Sequence, residues 1–175
     1  GGPSSVYDDK APRGDEKGFD LGVPVLGLCY GMQLMALRFG GTVGRAPGRE
    51  YGRAVVEVAG GRLLGSLGKA ETVWMSHGDH VEAVPAGFSV TARTANAPVA
   101  AFEDAARGLF GLQFHPEVHH TEHGAEILEA FLYQACGCAP RWTMASFRDA
   151  AVARIRETVT EGVVLGGLSG GIDST

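Results

Sequence analysis

The sequence has no long apolar run, no excess of basic charge and only three cysteines among its 175 residues. No run reaches the ~18 apolar residues that suggest a membrane span, so no membrane partner is expected. The formal net charge of −5 argues against a nucleic-acid partner, because phosphate backbones are bound by clustered Lys and Arg. An odd, small number of cysteines does not indicate a disulfide scaffold, and a reducing, cytoplasmic location is expected.

Neither end of the sequence has the features of a complete gene product. It has no initial Met and no signal peptide. It opens with the turn-forming run Gly-Gly-Pro-Ser-Ser at residues 1–5, which normally follows a strand. It stops in a Gly-rich loop at residues 169–175, with no helix after it. We therefore expect a piece of a longer protein, poorly stable and largely inactive by itself.

The spacing of apolar residues predicts an α/β fold in two domains. Continuous apolar runs indicate buried strands, and apolar residues three or four apart indicate helices. A link with Gly, Cys and Pro at residues 137–140 precedes a helix, a strand and a Gly-rich loop, the order that begins a new α/β unit. We therefore predict one domain over residues 1–138 and a second, incomplete one over 139–175. Predicted strands are 23–28, 53–58, 89–95, 99–103, 108–114 and 163–165, and predicted helices are 32–39, 122–136 and 144–159.

A candidate nucleophile lies between the first predicted strand and helix. The run Gly27-Leu28-Cys29-Tyr30-Gly31 has the form G-x-C-x-G, the cysteine version of a nucleophile elbow. A sharp turn exposes the thiol, small flanking residues allow the tight turn, and the helix start favours a thiolate. A buried structural cysteine is the alternative. The flanking glycines and the strand–turn–helix context favour the nucleophile.

A candidate general base follows the strand predicted at 108–114. A thiol nucleophile needs a base, and the base needs a partner that orients it. His115 and Glu117 are two residues apart, so they lie on the same face of an extended segment, and Pro116 stiffens the backbone between them. The sequence therefore predicts a Cys-His-Glu triad.

Other polar groups have weaker signals. His119, His120 and His123 could suggest a metal site, but no matching cysteine or carboxylate set accompanies them, and no metal is expected. Residues 75–80 (Met-Ser-His-Gly-Asp-His) are predicted to form a loop that is either a substrate-binding segment or a solvated turn. The Cys136–Cys138 pair has no second pair at zinc-ligand spacing, which favours a structural or incidental role.

Taken together, these motifs resemble the class I (triad-type) glutamine amidotransferases. Gly-Gly-Pro, Gly-Leu-Cys-Tyr-Gly-Met-Gln and Gln-Phe-His-Pro-Glu-Val occur in the order of that family, and the resemblance covers residues 1–138. It implies a flavodoxin-like α/β fold with a mixed central sheet flanked by helices. It also implies that Cys29 is the nucleophile, His115 the general base and acid, and Glu117 the residue that orients His115.

The resemblance further implies which groups bind the substrate. Backbone N–H groups of Gly2 and Tyr30 would form the oxyanion hole, at ~2.7–4 kcal/mol per donor. The residues expected to hold glutamine are Gln33, Ser76, His77, Gly78 and Asp79. The residue directly after Asp79 is His80, at a position where the family more often has Lys.

The end of the sequence resembles a second family. Its run Ser169, Gly170, Gly171, Ile172, Asp173 and Ser174 is similar to the S-G-G-x-D-S loop of N-type ATP pyrophosphatases, in which backbone amides bind phosphate. An amidotransferase domain followed by this loop resembles the GMP synthase family. That implies a Rossmann-like second domain, ATP with Mg²⁺, glutamine and XMP as substrates, and a homodimer.

Three alternatives remain at this point. The chain could be the glutaminase part of another triad amidotransferase, although those do not use the S-G-G-x-D-S loop. A free-standing γ-glutamyl peptidase would lack the helix and loop after residue 140. A catalytically silent binding module of the same fold is disfavoured by the intact triad.

Overall fold

The structure, a computed structural model, describes residues 5–140 and 143–167 of the chain. The described residues form two compact units, one within residues 1–138 and the other within residues 139–175. The predicted ATP-binding residues Ser169, Gly170, Gly171, Ile172, Asp173 and Ser174 lie outside the described residues, and so does Gly2.

The described strands of the first unit form a single mixed sheet. Its six strands are β1 (Val25–Leu28), β2 (Thr42–Val58), β3 (Ala70–Ala83), β4 (Ser89–Arg93), β5 (Ala101–Asp104) and β6 (Leu109–Leu112), in the spatial order β1-β6-β5-β4-β2-β3. β1 and β6 are parallel, and the remaining neighbours are antiparallel. The prediction of a mixed central sheet flanked by helices is confirmed.

The strand and helix predicted around the elbow are confirmed. β1 ends at Leu28, which pairs with Leu112 of β6. The helix α1 (Tyr30–Arg38) begins directly after Cys29, two residues earlier than its composition indicated. Its buried side chains include Met32 and Met35, and the chain leaves the helix through Gly40, whose φ of +90° suits glycine.

The long hairpin of β2 and β3 corrects two predictions. The sequence predicts a strand only over residues 53–58 there, and a loop over residues 75–80. The two strands instead pair in antiparallel register, with Ser76 opposite Tyr51 and His77 opposite Glu50. Hydrogen bonds to a distant strand outweigh the loop propensity of the Ser-His-Gly-Asp run, and such pairing cannot be read from local composition.

The remaining elements of the first unit follow the predicted pattern with one change. β5 and β6 form the expected hairpin. The helix predicted over 122–136 is a short α2 (Gly124–Glu129) followed by wider π-type turns at Ala130–Ala135. Within the described residues, every helix is too short or too polar to cross a bilayer.

Two apolar clusters cover the two faces of the sheet. Successive strand residues point to opposite faces, so Phe110 packs in one cluster with Ile127 of α2, whereas Leu109 packs in the other with Met32 of α1. The helices α1 and α2 therefore contribute to different clusters, and the elbow between β1 and α1 is anchored on one of them.

The second unit contains the helix α3 (Met144–Val159), as predicted. Thr143 and Ser146 form a reciprocal capping box at its start. None of its residues is buried, and Phe147 and Ile155 of the predicted apolar face are 53% and 57% exposed. The prediction of a strand at residues 163–165 is wrong, because these residues are exposed and lie outside any strand. A strand needs a hydrogen-bonded neighbour, and the described part of this unit provides none.

The two glycines of the elbow motif make different structural contributions. A Cβ on Gly27 would lie 2.8 Å from the backbone of Gly31 and Met32, whereas a Cβ on Gly31 would meet nothing within 4 Å. We predict that Gly27→Ala destabilises the first unit by ~1–3 kcal/mol through overpacking. The matched Gly31→Ala should be neutral or stabilising by up to ~1 kcal/mol, because alanine favours a helix. Denaturant unfolding of the natural protein that carries this chain measures both, and equal effects would contradict the prediction.

Candidate active site

The turn at Cys29 is sharper than a normal strand-to-helix connection. Cys29 has φ +49° and ψ −105°, a conformation that L-residues rarely adopt. Such a backbone costs ~1–3 kcal/mol and persists only where surrounding structure imposes it. The Cys29 N–H donates to the Leu112 carbonyl oxygen at 2.7 Å, and Gly27 permits the close approach of the helix start. Pairing with β6 therefore holds the strained residue in place.

The thiol of Cys29 is buried among polar groups. The residue is 3% exposed. Its Sγ lies 3.6 Å from the Ser76 carbonyl oxygen and 3.6 Å from the Gln113 side-chain nitrogen. The His115 side chain also hydrogen-bonds Cys29. The sulfur therefore contacts both a hydrogen-bond donor and a titratable ring.

His115 lies between Cys29 and Glu117. Its Nδ1 is 2.7 Å from Glu117 Oε1. The hydrogen bond to Cys29, followed by the hydrogen bond to Glu117, raises the pKa of His115 to about 9, although burial opposes the shift. At neutral pH the imidazole is therefore protonated and carries a positive charge beside the sulfur. The structure thus brings together the three residues predicted to form the triad.

The backbone of His115 is fixed by β3. Its N–H donates to the Trp74 carbonyl oxygen at 3.0 Å. The Thr121 hydroxyl donates to the His115 carbonyl oxygen at 2.6 Å and accepts from the Trp74 N–H at 3.1 Å. Thr121 is 4% exposed, and no sequence motif indicates its role, because it connects the nearby His115 to Trp74 of β3, which is 47 residues away in the chain.

The segment predicted to hold glutamine lies within β3, and its side chains differ in environment. Ser76 is exposed and presents its carbonyl oxygen to Cys29. His77 is 4% exposed; its Nδ1 is 3.0 Å from the Asp79 carbonyl oxygen and its Nε2 is 3.1 Å from Glu50 Oε2. Burial lowers the pKa of His77, and the Glu50 carboxylate opposes this. Gly78 and Asp79 are partly buried. Glutamine binding by this segment remains a prediction.

Glu50 is a buried carboxylate that sequence reasoning missed. Besides His77, it accepts hydrogen bonds from the Thr94 hydroxyl at 3.2 Å and from the Asn96 side-chain nitrogen at 3.1 Å. It is 9% exposed. Its neighbours Gly-Arg and Tyr-Gly suggest a surface turn, so only the pairing of β2 with β3 explains its burial.

Gln33 and Gln113 are in contact beside the thiol. The Gln33 side-chain nitrogen donates to the Asp79 carbonyl oxygen at 2.8 Å and to Gln113 Oε1 at 3.3 Å. Both residues are buried, at 3% and 0% exposure. Gln33, predicted to hold glutamine, therefore uses its amide hydrogens within the protein. Gln113 is the first residue of the Gln-Phe-His-Pro-Glu motif. The motif draws attention to Gln113, but the sequence alone does not indicate its role.

The Tyr30 N–H is in a position suited to an oxyanion. Tyr30 is the first residue of α1, and the first-turn N–H groups of a helix have no intrahelical acceptor. Its side chain is anchored by a hydrogen bond from the hydroxyl to the Pro12 carbonyl oxygen at 2.9 Å. The oxyanion role of Tyr30 remains a prediction, as does that of Gly2.

His120, His123 and Cys136 interact with neighbouring side chains. His123 Nδ1 is 2.6 Å from Glu71 Oε2, which raises the pKa of His123. The His120 ring stacks on Trp74. Burial, followed by the nearby Cys138, raises the pKa of the Cys136 thiol. Across residues 5–140 and 143–167, no group of three or more His, Cys, Asp or Glu residues is arranged to hold a metal ion.

Comparison with known proteins identifies relatives. The family model for class-I glutamine amidotransferases matches residues 1–135. GMP synthase [glutamine-hydrolyzing] of Thermobifida fusca (strain YX) is 56% identical over 175 residues, covering 99% of this chain and 33% of the relative. The protein of the same name from Bacillus cereus (strain AH820) is 49% identical over 176 residues, covering 100% of this chain and 34% of the relative. The chain thus spans about a third of the length of these relatives.

Solved structures give a consistent result for the fold. A putative GMP synthase protein of Thermoplasma acidophilum has a TM-score of 0.64 and 34% identity, covering 76% of this chain and 63% of that one. A glutamine amidotransferase of Thermotoga maritima has a TM-score of 0.55 at 22% identity, covering 80% of this chain and 53% of that one, and supports the fold alone. With the match over residues 1–135, this chain belongs to the class-I glutamine amidotransferase family.

Proposed function

We propose that this chain is the glutamine-hydrolysing part of a GMP synthase. The observation that carries the proposal is the contact of Cys29, His115 and Glu117 at a strained elbow. The 56% and 49% identity to proteins named GMP synthase supports the choice of product among amidotransferases. The ammonia would serve the ATP-dependent amination of XMP to GMP.

The residues near the thiol supply the groups needed to hydrolyse an amide. The Cys29 thiolate attacks the side-chain amide carbon of glutamine, giving a tetrahedral oxyanion. The Tyr30 N–H donates to this oxyanion, and the N–H of Gly2, a residue outside the described part of the chain, is proposed as the second donor. The His115 imidazolium gives a proton to the departing ammonia, and then as a neutral base activates the water that hydrolyses the glutamyl thioester. Glu117 keeps the ring oriented for both transfers.

The second unit is proposed to begin an ATP pyrophosphatase domain. Its Ser-Gly-Gly-Ile-Asp-Ser run, residues 169–174, would bind ATP phosphates through backbone N–H groups. ATP would be accompanied by Mg²⁺, and XMP would bind outside this chain. A homodimer and a cytoplasmic location belong to the same proposal. Its support is the resemblance of the sequence to GMP synthases along 99–100% of its length.

Replacing the nucleophile separates glutamine hydrolysis from the acceptor reaction. With ATP, Mg²⁺ and XMP, the natural protein that carries Cys29→Ala should make no GMP from glutamine but should keep its rate with ammonium, because ammonium bypasses the thiol. GMP formation with each nitrogen source measures this. An unmodified protein that hydrolyses glutamine but makes no GMP from either source would disprove the acceptor assignment.

Removing the charge of Glu117 should shift the pH dependence of glutamine hydrolysis. The hydrogen bond to Cys29 and then the interaction with Glu117 raise the pKa of His115 to about 9. In Glu117→Gln that pKa falls, so the imidazolium that protonates ammonia is lost at lower pH. The alkaline limb of the kcat/KM profile for glutamine should therefore move to lower pH.

An exposed carboxylate provides the matched control for this shift. Glu129→Gln, at an exposed position of α2, should leave the profile unchanged. If Glu117→Gln lowers the rate at every pH by one constant factor and leaves the alkaline limb in place, Glu117 does not act through the charge of His115.

A further inference from the structure

A continuous chain of hydrogen bonds connects the Asp79 backbone to the sulfur of Cys29. The Asp79 carbonyl oxygen accepts from the Gln33 side-chain nitrogen at 2.8 Å, and the same nitrogen donates to Gln113 Oε1 at 3.3 Å. The Gln113 side-chain nitrogen is then 3.6 Å from Cys29 Sγ. These residues come from β3, from α1 and from the segments that follow β1 and β6.

The direction of every bond in this chain is set by the Asp79 carbonyl. A carbonyl oxygen can only accept, so the Gln33 atom beside it must be the amide nitrogen. The second hydrogen on that nitrogen needs an acceptor, so Gln113 must turn its Oε1 towards Gln33. The Gln113 nitrogen consequently points to the sulfur. Through these bonds the Asp79 carbonyl causes Gln113 to present a hydrogen-bond donor, and not an acceptor, to the Cys29 sulfur.

The Asp79 carbonyl is itself held from the other side. The Nδ1 of His77 lies 3.0 Å from it, and the Nε2 of the same ring is held by Glu50 at 3.1 Å. Glu50 is in turn fixed by Thr94 and Asn96. A carbonyl oxygen has two lone pairs, so it accommodates both His77 and Gln33. The buried Glu50–His77 pair thus stabilises the position of the carbonyl that orients the two glutamines.

Burial makes the Gln113 donor effective on a charged sulfur. Gln113 is fully buried and Gln33 nearly so, so neither amide exchanges its partner for bulk water. Hydrogen bonds to charged groups are stronger than those between neutral groups. The amide is also neutral, so it stabilises a thiolate without opposing the positive charge on His115.

We propose that Gln113 is a catalytic residue whose side-chain N–H hydrogen-bonds the Cys29 thiolate, and that Gln33 is the positioning residue that turns this N–H towards the sulfur. The inference rests on the proposed function in one respect, the use of Cys29 as a thiolate nucleophile. It does not depend on ATP, on XMP or on the identity of the final product.

Alkylation of the natural protein with iodoacetamide tests this role without any substrate. Gln113→Met keeps the length of the side chain and removes the donor. The rate of Cys29 carboxamidomethylation, followed by peptide mass spectrometry from pH 5 to 10, should reach half of its maximum at a higher pH than in the unmodified protein. Below that midpoint the rate should fall by roughly tenfold, the effect expected for one hydrogen bond to a charged group.

Two further variants distinguish the loss of Gln113 orientation from a general loss of structure. Gln33→Met removes the bond that orients Gln113, so the midpoint should shift in the same direction by a smaller amount. Gln134→Met, the same substitution at an exposed site, should leave the midpoint unchanged. Far-UV circular dichroism verifies folding, and if Gln113→Met does not fold, Gln33→Met carries the test. A folded variant that loses thermal stability but keeps the midpoint of the unmodified protein would overturn the proposal.

The exposed thiol of Cys138 is an internal reference in the same experiment. If Cys29 of the unmodified protein reacts at lower pH than Cys138, and the midpoint does not move in the variants, the inference fails while the thiolate nucleophile stands. If Cys29 is alkylated with the same pH profile as Cys138, Cys29 is not the thiolate nucleophile of the proposed function. The inference and the proposed function then both fail. If the midpoint moves in the Gln113 and Gln33 variants but the unmodified protein makes no GMP, the inference is supported. Only the assignment of XMP as the acceptor is then rejected.

Discussion

The parallel pairing of β1 with β6 is the interaction on which the site depends. Leu28 pairs with Leu112, and the Cys29 N–H donates to the Leu112 carbonyl oxygen. Parallel neighbours present their carboxyl ends at the same edge of a sheet, which is where sites form in α/β folds. The chain leaves β1 at Cys29 and β6 at Gln113, so residues 84 apart in sequence come into contact there. A shift of this register would separate the Cys29 thiol from the His115 ring.

The electrostatics of the triad are dominated by its buried side. His115 contacts both Cys29 and Glu117, yet the hydrogen bond to Cys29 is the larger cause of its raised pKa. Glu117 is 46% exposed, and the interactions of exposed charges are weakened by water. The Cys29 thiol is buried, so its interaction with the His115 ring is screened less by water. In the proposed mechanism Cys29 and His115 therefore form one acid–base unit, which Glu117 orients.

The β2–β3 hairpin connects this unit to the rest of the sheet. It contributes the Ser76 carbonyl beside the thiol and, through Trp74, the backbone contact that fixes His115. It also buries the Glu50–His77 pair. Buried ionisable pairs are weak sources of stability, since desolvation offsets their attraction. Their value here is geometric, because the pair fixes a backbone carbonyl that faces the active site.

Features that depend on near neighbours along the chain could be predicted from the amino-acid sequence. The elbow at Cys29 follows from glycines two residues away, the His115–Glu117 contact follows from i, i+2 spacing, and α1 and α3 follow from helical periodicity. The tertiary structure decided the rest. It placed residues 76–79 in a strand, left 163–165 outside any strand, and buried Glu50 and Gln113. Strand formation and burial of polar groups require partners far along the chain, and only sheet register supplies them.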